Sequence, residues 1–162
     1  MYPAPGLKEV SASVAFGTID GTADRVAADL IDTMRSFPGC VGLAAPQIGE
    51  LHRAVVFDVT GHKKARSSHG LVVLFNPEIV LADGGEVARE GCLSLPDLTA
   101  NVRRATDIVV RGLGRDGEEQ VLHADAFEAR VILHEIDHLD GYLFLDRVAS
   151  LKHDIFQRKV YK

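Results

Sequence analysis

Two histidines and a glutamate fall at helical spacing in VILHEIDHLDG (131–141), at His134, Glu135 and His138. Residues four apart share one face of a helix, so both imidazoles can point at one locus, with Glu135 about 100° round the axis beside it. The arrangement suits a divalent metal held by two neutral imidazoles next to a carboxylate that can move a proton. The competing reading is a solvated helix face bearing two histidines and the acids Glu135 and Asp137. Against it, the interleaved Leu133, Ile136 and Leu139 are all apolar, and burying charge without compensation is costly. A catalytic site of this kind takes a third protein ligand and keeps one position open. Downstream the chain offers Asp140, Asp146, His153 and Asp154; upstream, Cys92 in EGCLSLP (90–96) follows a glycine and opens an apolar stretch. A lone buried cysteine is more often a small hydrophobe than a ligand, and spacing alone leaves the third ligand open.

The elements that must position these groups are legible in outline. Val26, Leu30 and Met34 recur at i, i+4, i+8 and predict a helix over 22–36, with Thr22 as a plausible N-cap. The segment 37–49, FPGCVGLAAPQIG, is crowded with Gly, Ala and Pro, as befits a chain passing close to something. Between 53 and 113 the β-branched runs RAVVFDV, GLVVLFNPEIV and DIVVRGL predict strands, antiparallel because their connections are short. GHKKARSSHG (61–70) reads as a solvated hairpin loop and GRDGEEQ (114–120) as a hairpin turn. Phe127, Val131, Ile132, Ile136 and Leu139 predict a buried helix over 124–139, and a last helix is expected over about 147–160. The expectation is an α+β fold, with antiparallel sheets packed around a central helix that carries HEIDH and with N-terminal and C-terminal helices besides.

At 162 residues with 46% hydrophobic content, the chain suits a single domain, 1–162, with one core. A formal net charge of −5 argues against DNA or bulk RNA binding. Cys40 and Cys92 alone build no disulfide framework, which indicates a reducing compartment. No apolar run approaches the roughly 20 residues that span a bilayer, and MYPAPGLKEV lacks the pattern of a signal peptide, so a cytoplasmic location without membrane contact is expected.

Three segments, GCVGLAAPQIG, EGCLSLP and HEIDHLDG, in this order and at these separations, resemble the signature motifs of the peptide deformylases. The opening YPAPGLKEVSASV and the stretch LHADAFEARVILHEIDHLDGYLFLDRV extend the resemblance over nearly the whole chain. The resemblance implies a hydrolase that removes the N-formyl group from the first methionine of new proteins. It implies that Cys92, His134 and His138 hold one divalent metal, Fe²⁺ in the cell with Zn²⁺, Ni²⁺ or Co²⁺ as substitutes. Glu135 would be the acid/base carboxylate, while the Gln47 amide and the Leu93 N–H would stabilise the oxyanion. Val41, Gly42, Gly91 and Val131 would surround the methionine side chain and the substrate backbone. The chain departs from the family pattern at Cys40, at Leu133 and at Thr99, where many bacterial members carry arginine. N-formylmethionyl nascent peptides are the implied partners, and Lys152, Arg158, Lys159 and Lys162 could reach ribosomal RNA, although a solvated helix end is the simpler reading of them. Two other readings stand beside this one: a zinc peptidase that takes a downstream ligand, and a non-catalytic deformylase-like protein that binds ribosomes or peptides.

Overall fold

The computed structural model describes residues 1–17 and 21–159. In chain order the elements are α1 (Thr22–Ser36), β1 (Gly42–Ala44), β2 (Ala54–Phe57), β3 (Val72–Asp83), β4 (Glu86–Cys92), β5 (Leu95–Arg104), β6 (Asp107–Leu113), β7 (Glu119–Asp125), α2 (Ala126–Leu139) and β8 (Ile155–Gln157). Single 3₁₀ turns occupy Pro5–Lys8, Ala45–Ile48 and Phe144–Arg147. Five strands form one sheet in the order β1-β2-β3-β6-β7, and three form another in the order β4-β5-β8; every pairing between these strands is antiparallel. The fold is therefore α+β. No helix among the described residues is long and apolar enough to cross a membrane.

The unbroken apolar run of β2 reflects burial on both faces. Val55 and Phe57 join the core against α2, whereas Ala54 and Val56 join the core against α1. Helix α1 buries a single stripe, Val26, Ala27, Leu30 and Met34, and leaves the rest to solvent. Helix α2 is buried almost all round, including Glu128, Arg130, His134, Glu135, Asp137 and His138. Six buried polar side chains on one helix demand partners.

One of them, Glu128, secures a loop together with Asp125, the residue that precedes the helix. Glu128 accepts from the His69 backbone N–H at 2.9 Å and pairs with its Nδ1 at 2.8 Å, while Ser67 donates to Asp125 at 2.8 Å. The 61–70 loop, expected to be a solvated connection, is thus pinned across the start of α2. The C-terminal helix expected over about 147–160 does not form among the described residues, which end at 159. Ile155, Phe156 and Gln157 instead pair with Ala100, Thr99 and Leu98 as the edge strand β8, and Asp154 closes the preceding turn by accepting the Ser150 N–H at 3.0 Å. Long-range strand pairing on the bare edge of β5 outweighs the helical preference of a short polar segment, an effect no local spacing reports. Lys162 lies outside the described residues.

The small sheet is fastened to α2 by buried charge. Arg104 on β5 donates to both oxygens of Glu90 on β4, at 2.9 and 3.1 Å, and to Asp137 on α2 at 2.5 Å. Arg130 on α2 donates to Glu90 at 2.8 Å and to the carbonyls of Val102 and Glu86 at 2.8 and 2.7 Å. Arg147 completes the set on Asp137 at 2.7 and 3.1 Å. Removing one member of such a network strands opposite charges in the core, which costs about 3–5 kcal/mol. Arg104→Met should therefore lose about that much in urea denaturation of the metal-free protein. Arg111→Met, which breaks only the exposed pair with Glu78, should lose under about 1 kcal/mol. Equal losses in the two variants would show that the network does not hold the sheets together.

Candidate metal centre and cleft

The β4–β5 hairpin turns through Leu93 and Ser94 and brings the Cys92 thiol up to α2. One Cys92 Sγ and one ring nitrogen from each of His134 and His138 lie within 4.8 Å of one another, with Sγ 3.3 Å from His138 Nε2. His134 Nδ1 sits 2.9 Å from Glu90 Oε2. Nδ1 donates its proton to that carboxylate, so Nε2 is the nitrogen a cation would take, displacing the Nε2 proton. None of Asp140, Asp146, His153 or Asp154 joins this group. Asp140 is paired with Arg53, Asp146 with Lys8, and Asp154 with Ser150. The candidate third ligand thus comes from another element, 42 positions upstream of His134.

Gln47 stands on the 3₁₀ turn after β1. Its Oε1 accepts the Ala44 N–H at 2.9 Å, which orients the amide so that Nε2 faces Cys92 Sγ at 3.4 Å and Ser94 Oγ at 3.1 Å. Glu135 is buried, and its Oε2 has no hydrogen-bond partner among the described residues. A Cβ at position 42 would sit 2.7 Å from Glu135 Oε1 and 2.7 Å from Val131 Cγ1, so only glycine lets β1 pass this close to α2.

Burial is the leading influence on Glu90, His134, Glu135 and His138. It opposes charge on Glu90, but hydrogen bonds from His134 and Arg104 prevail and hold that carboxyl at about 2. It likewise opposes charge on His134, which the Cys92 sulfur and the Glu90 carboxylate nevertheless raise well above its ordinary value. Glu135 has no such donor; burial and then repulsion from Glu90 leave it at about 7, despite the attraction of His134. Burial and the positive charges of His134 and Arg104 push His138 down to about 3, which keeps it neutral and able to ligate. A thiol, two imidazoles converging on one point and a buried carboxyl oxygen without a partner together fit a divalent cation of the zinc or iron kind.

The group opens onto a cleft of about 360 Å³ that runs between β1 and β4. Val41, Gly42, Gln47, Gly91, Cys92, Leu93, Val131, His134 and Glu135 all line it, and only His138, buried behind them, does not. Several lining or supporting residues carry no local signal in the sequence. Glu90 was hidden inside the EGCLSLP motif, and its function emerges only through contact with His134. Asp137 looked like part of a solvated face, yet it anchors Arg104 and Arg147. His62 and Lys64 also reach the cleft, where His62 stacks on Phe127 with ring centroids 4.1 Å apart. Of the departing positions, Cys40 and Thr99 line the cleft; burial raises the Cys40 thiol to about 11. Leu133 packs against the core.

The sequence model of the polypeptide deformylase family matches residues 1–154. A peptide deformylase of Syntrophobacter fumaroxidans is 42% identical over 158 residues, covering 98% of this chain and 89% of its own length. One from Xylella fastidiosa is 41% identical over 162 residues, covering 99% and 92%. Among solved structures, the peptide deformylase of Legionella pneumophila superposes with a TM-score of 0.82 at 37% identity, covering 93% of this chain and 85% of that one. That of Thermotoga maritima gives 0.81 at 35% identity, covering 93% and 95%. With its fold, its converging Cys92, His134 and His138 and its full-length likeness all in agreement, the chain belongs to the polypeptide deformylases, metal-dependent hydrolases that remove the N-formyl group from nascent peptides.

Proposed function

We propose that this protein hydrolyses the formyl amide of N-formylmethionyl peptides, with Cys92, His134 and His138 as metal ligands, Fe²⁺ as the resident ion, and 1–162 acting as one catalytic unit. The observation that carries the assignment is the convergence of the Cys92 thiol with His134 and His138 beside a partnerless, buried Glu135. A divalent cation held there would polarise water and the substrate carbonyl, lowering the pKa of that water from about 15.7 toward 7.

The remaining steps belong to the chain's own groups. Glu135, near neutrality in its pKa, accepts a proton from the attacking water and returns it to the leaving amine. The Gln47 Nε2–H and the Leu93 N–H donate to the oxygen of the tetrahedral intermediate, an effect worth about 3 kcal/mol per donor. Strand β1 pairs only with β2 and strand β4 only with β5, so each presents a free edge to the cleft. An extended peptide added between them would run past Val41, Gly42 and Gly91, with its methionine side chain toward Val131. A zinc peptidase with a downstream ligand has no support in this geometry, and neither does a non-catalytic relative, because all four reacting groups are in place. The expected compartment is the cytoplasm, consistent with two free cysteines. A ribosome contact through the basic terminus would rest on the exposed Lys152 and Lys159.

Formate release from formyl-Met-Ala by the metal-loaded protein tests the reaction. Cys92→Ala should abolish both stoichiometric metal binding and formate release, whereas His153→Ala should keep both; a full complement of metal in Cys92→Ala would remove the cysteine from the ligand set. Glu135→Gln should retain the metal while turnover falls by at least about a hundredfold. The same substitution has a second consequence in the metal-free protein. A carboxyl raised to about 7 contributes most stability below its ordinary range near 4.5, and that contribution is lost as pH climbs through 7. Glu135→Gln should therefore be more stable than wild type at pH 8 by up to about 3 kcal/mol, with the gap closing at pH 5. Denaturation of the two metal-free proteins at both pH values checks this, and a pH-independent difference would contradict the buried, partnerless carboxyl.

A further inference from the structure

The mouth of the cleft holds four cationic side chains, and three of them are engaged. Arg130 is tied into the Glu90 network. Arg89 donates to Asn101 at 3.0 Å and to Thr99 at 3.3 Å, and its guanidinium lies 3.5 Å above the Phe156 ring. Lys64 sits over the Phe127 ring at 5.9 Å. Arg158 differs. It is half-buried, its backbone N–H continues the β5–β8 ladder by donating to Asp97 O at 2.8 Å, and its side chain reaches the cleft. No hydrogen bond or ion pair engages its guanidinium among the described residues. The guanidinium rests on Gly91, where any Cβ would collide with it, and Thr99 stands opposite on β5. Glycine at 91 thus lets the guanidinium lie against the strand one residue along β4 from Cys92, where a side chain would displace it. Arg158 also lies beyond residue 154, where the family match ends.

We propose that Arg158 is a specificity residue that binds an acidic group on the second or third residue after the formylmethionine, an assignment that rests on the deformylase reading of the cleft. With the formyl carbon beside Cys92 and Glu135, an extended chain advances about 3.4 Å per residue and carries those positions past Gly91. A guanidinium presents a planar fork of donors matched to a carboxylate, and here that fork has no internal partner to displace. The protein, although acidic overall at −5, thereby selects acidic nascent termini.

The test compares formyl-Met-Ala-Asp-amide, formyl-Met-Ala-Asn-amide and formyl-Met-Ala-Lys-amide with the metal-loaded enzyme. Wild type should favour Asp over Asn by about fivefold in kcat/KM and disfavour Lys, with the discrimination carried by KM and shrinking at high salt. Arg158→Gln should erase the Asp preference, and Arg158→Glu should invert it toward Lys. Calorimetric titration of the same peptides into the metal-loaded Glu135→Gln protein reads the same preference without turnover. If wild type releases no formate from any of the three, the catalytic assignment fails, while the order of affinities still decides on Arg158. Retention of the Asp preference in Arg158→Gln, or equal affinity for the Asp and Asn peptides in the titration, overturns the proposal.

Discussion

Glu90 is the residue on which the rest of this molecule turns. Its carboxylate takes both forks of Arg104, a third donor from Arg130, and the Nδ1 proton of His134. A charge buried this deeply survives only when every lone pair is used, and here the users come from β5 and from α2. The same group therefore joins the small sheet to the central helix and sets which nitrogen of His134 faces the ligand site. Structure and chemistry share one carboxylate, so the ligand geometry is as rigid as the joint between the layers.

Contrast with Glu135 explains how two acids in one site keep different protonation. Glu90, surrounded by donors, is held at about 2, whereas Glu135, buried among Gly42 and Val131 with one oxygen unmatched, rises to about 7. The fold gives its cations to the structural carboxylate and withholds them from the one proposed to move protons. Proton transfer near neutral pH needs that division.

The cleft itself follows from topology. Among the described residues β1 and β4 each pair with one strand only, and they belong to different sheets that both line the cleft. Glycines at 42 and 91 keep the walls open at two heights, one to admit Glu135 and the other to admit Arg158. A channel between two strand edges is suited to an extended peptide terminus, with the reacting end fixed and the chain free to leave.

Much of this was written in local pattern. Helical spacing set the limits of α1 and put His134, Glu135 and His138 on one helix; β-branched runs marked β2, β3 and β6; and the motif GCVGLAAPQIG, with EGCLSLP and HEIDHLDG, pointed to the residues that line the cleft, because period and composition are properties of neighbouring residues. What neighbouring residues could not decide were contacts between distant ones. The approach of Cys92 to His138, the burial of Asp137 against Arg104, the pinning of the 61–70 loop by Glu128, and the folding of 155–157 as a strand on β5 rather than a helix all depend on partners 33 to 59 positions away. Burial is what gives those partnerships their strength: in water each would be worth little, and only the packed interior makes an unmatched charge or strand edge costly enough to select one arrangement.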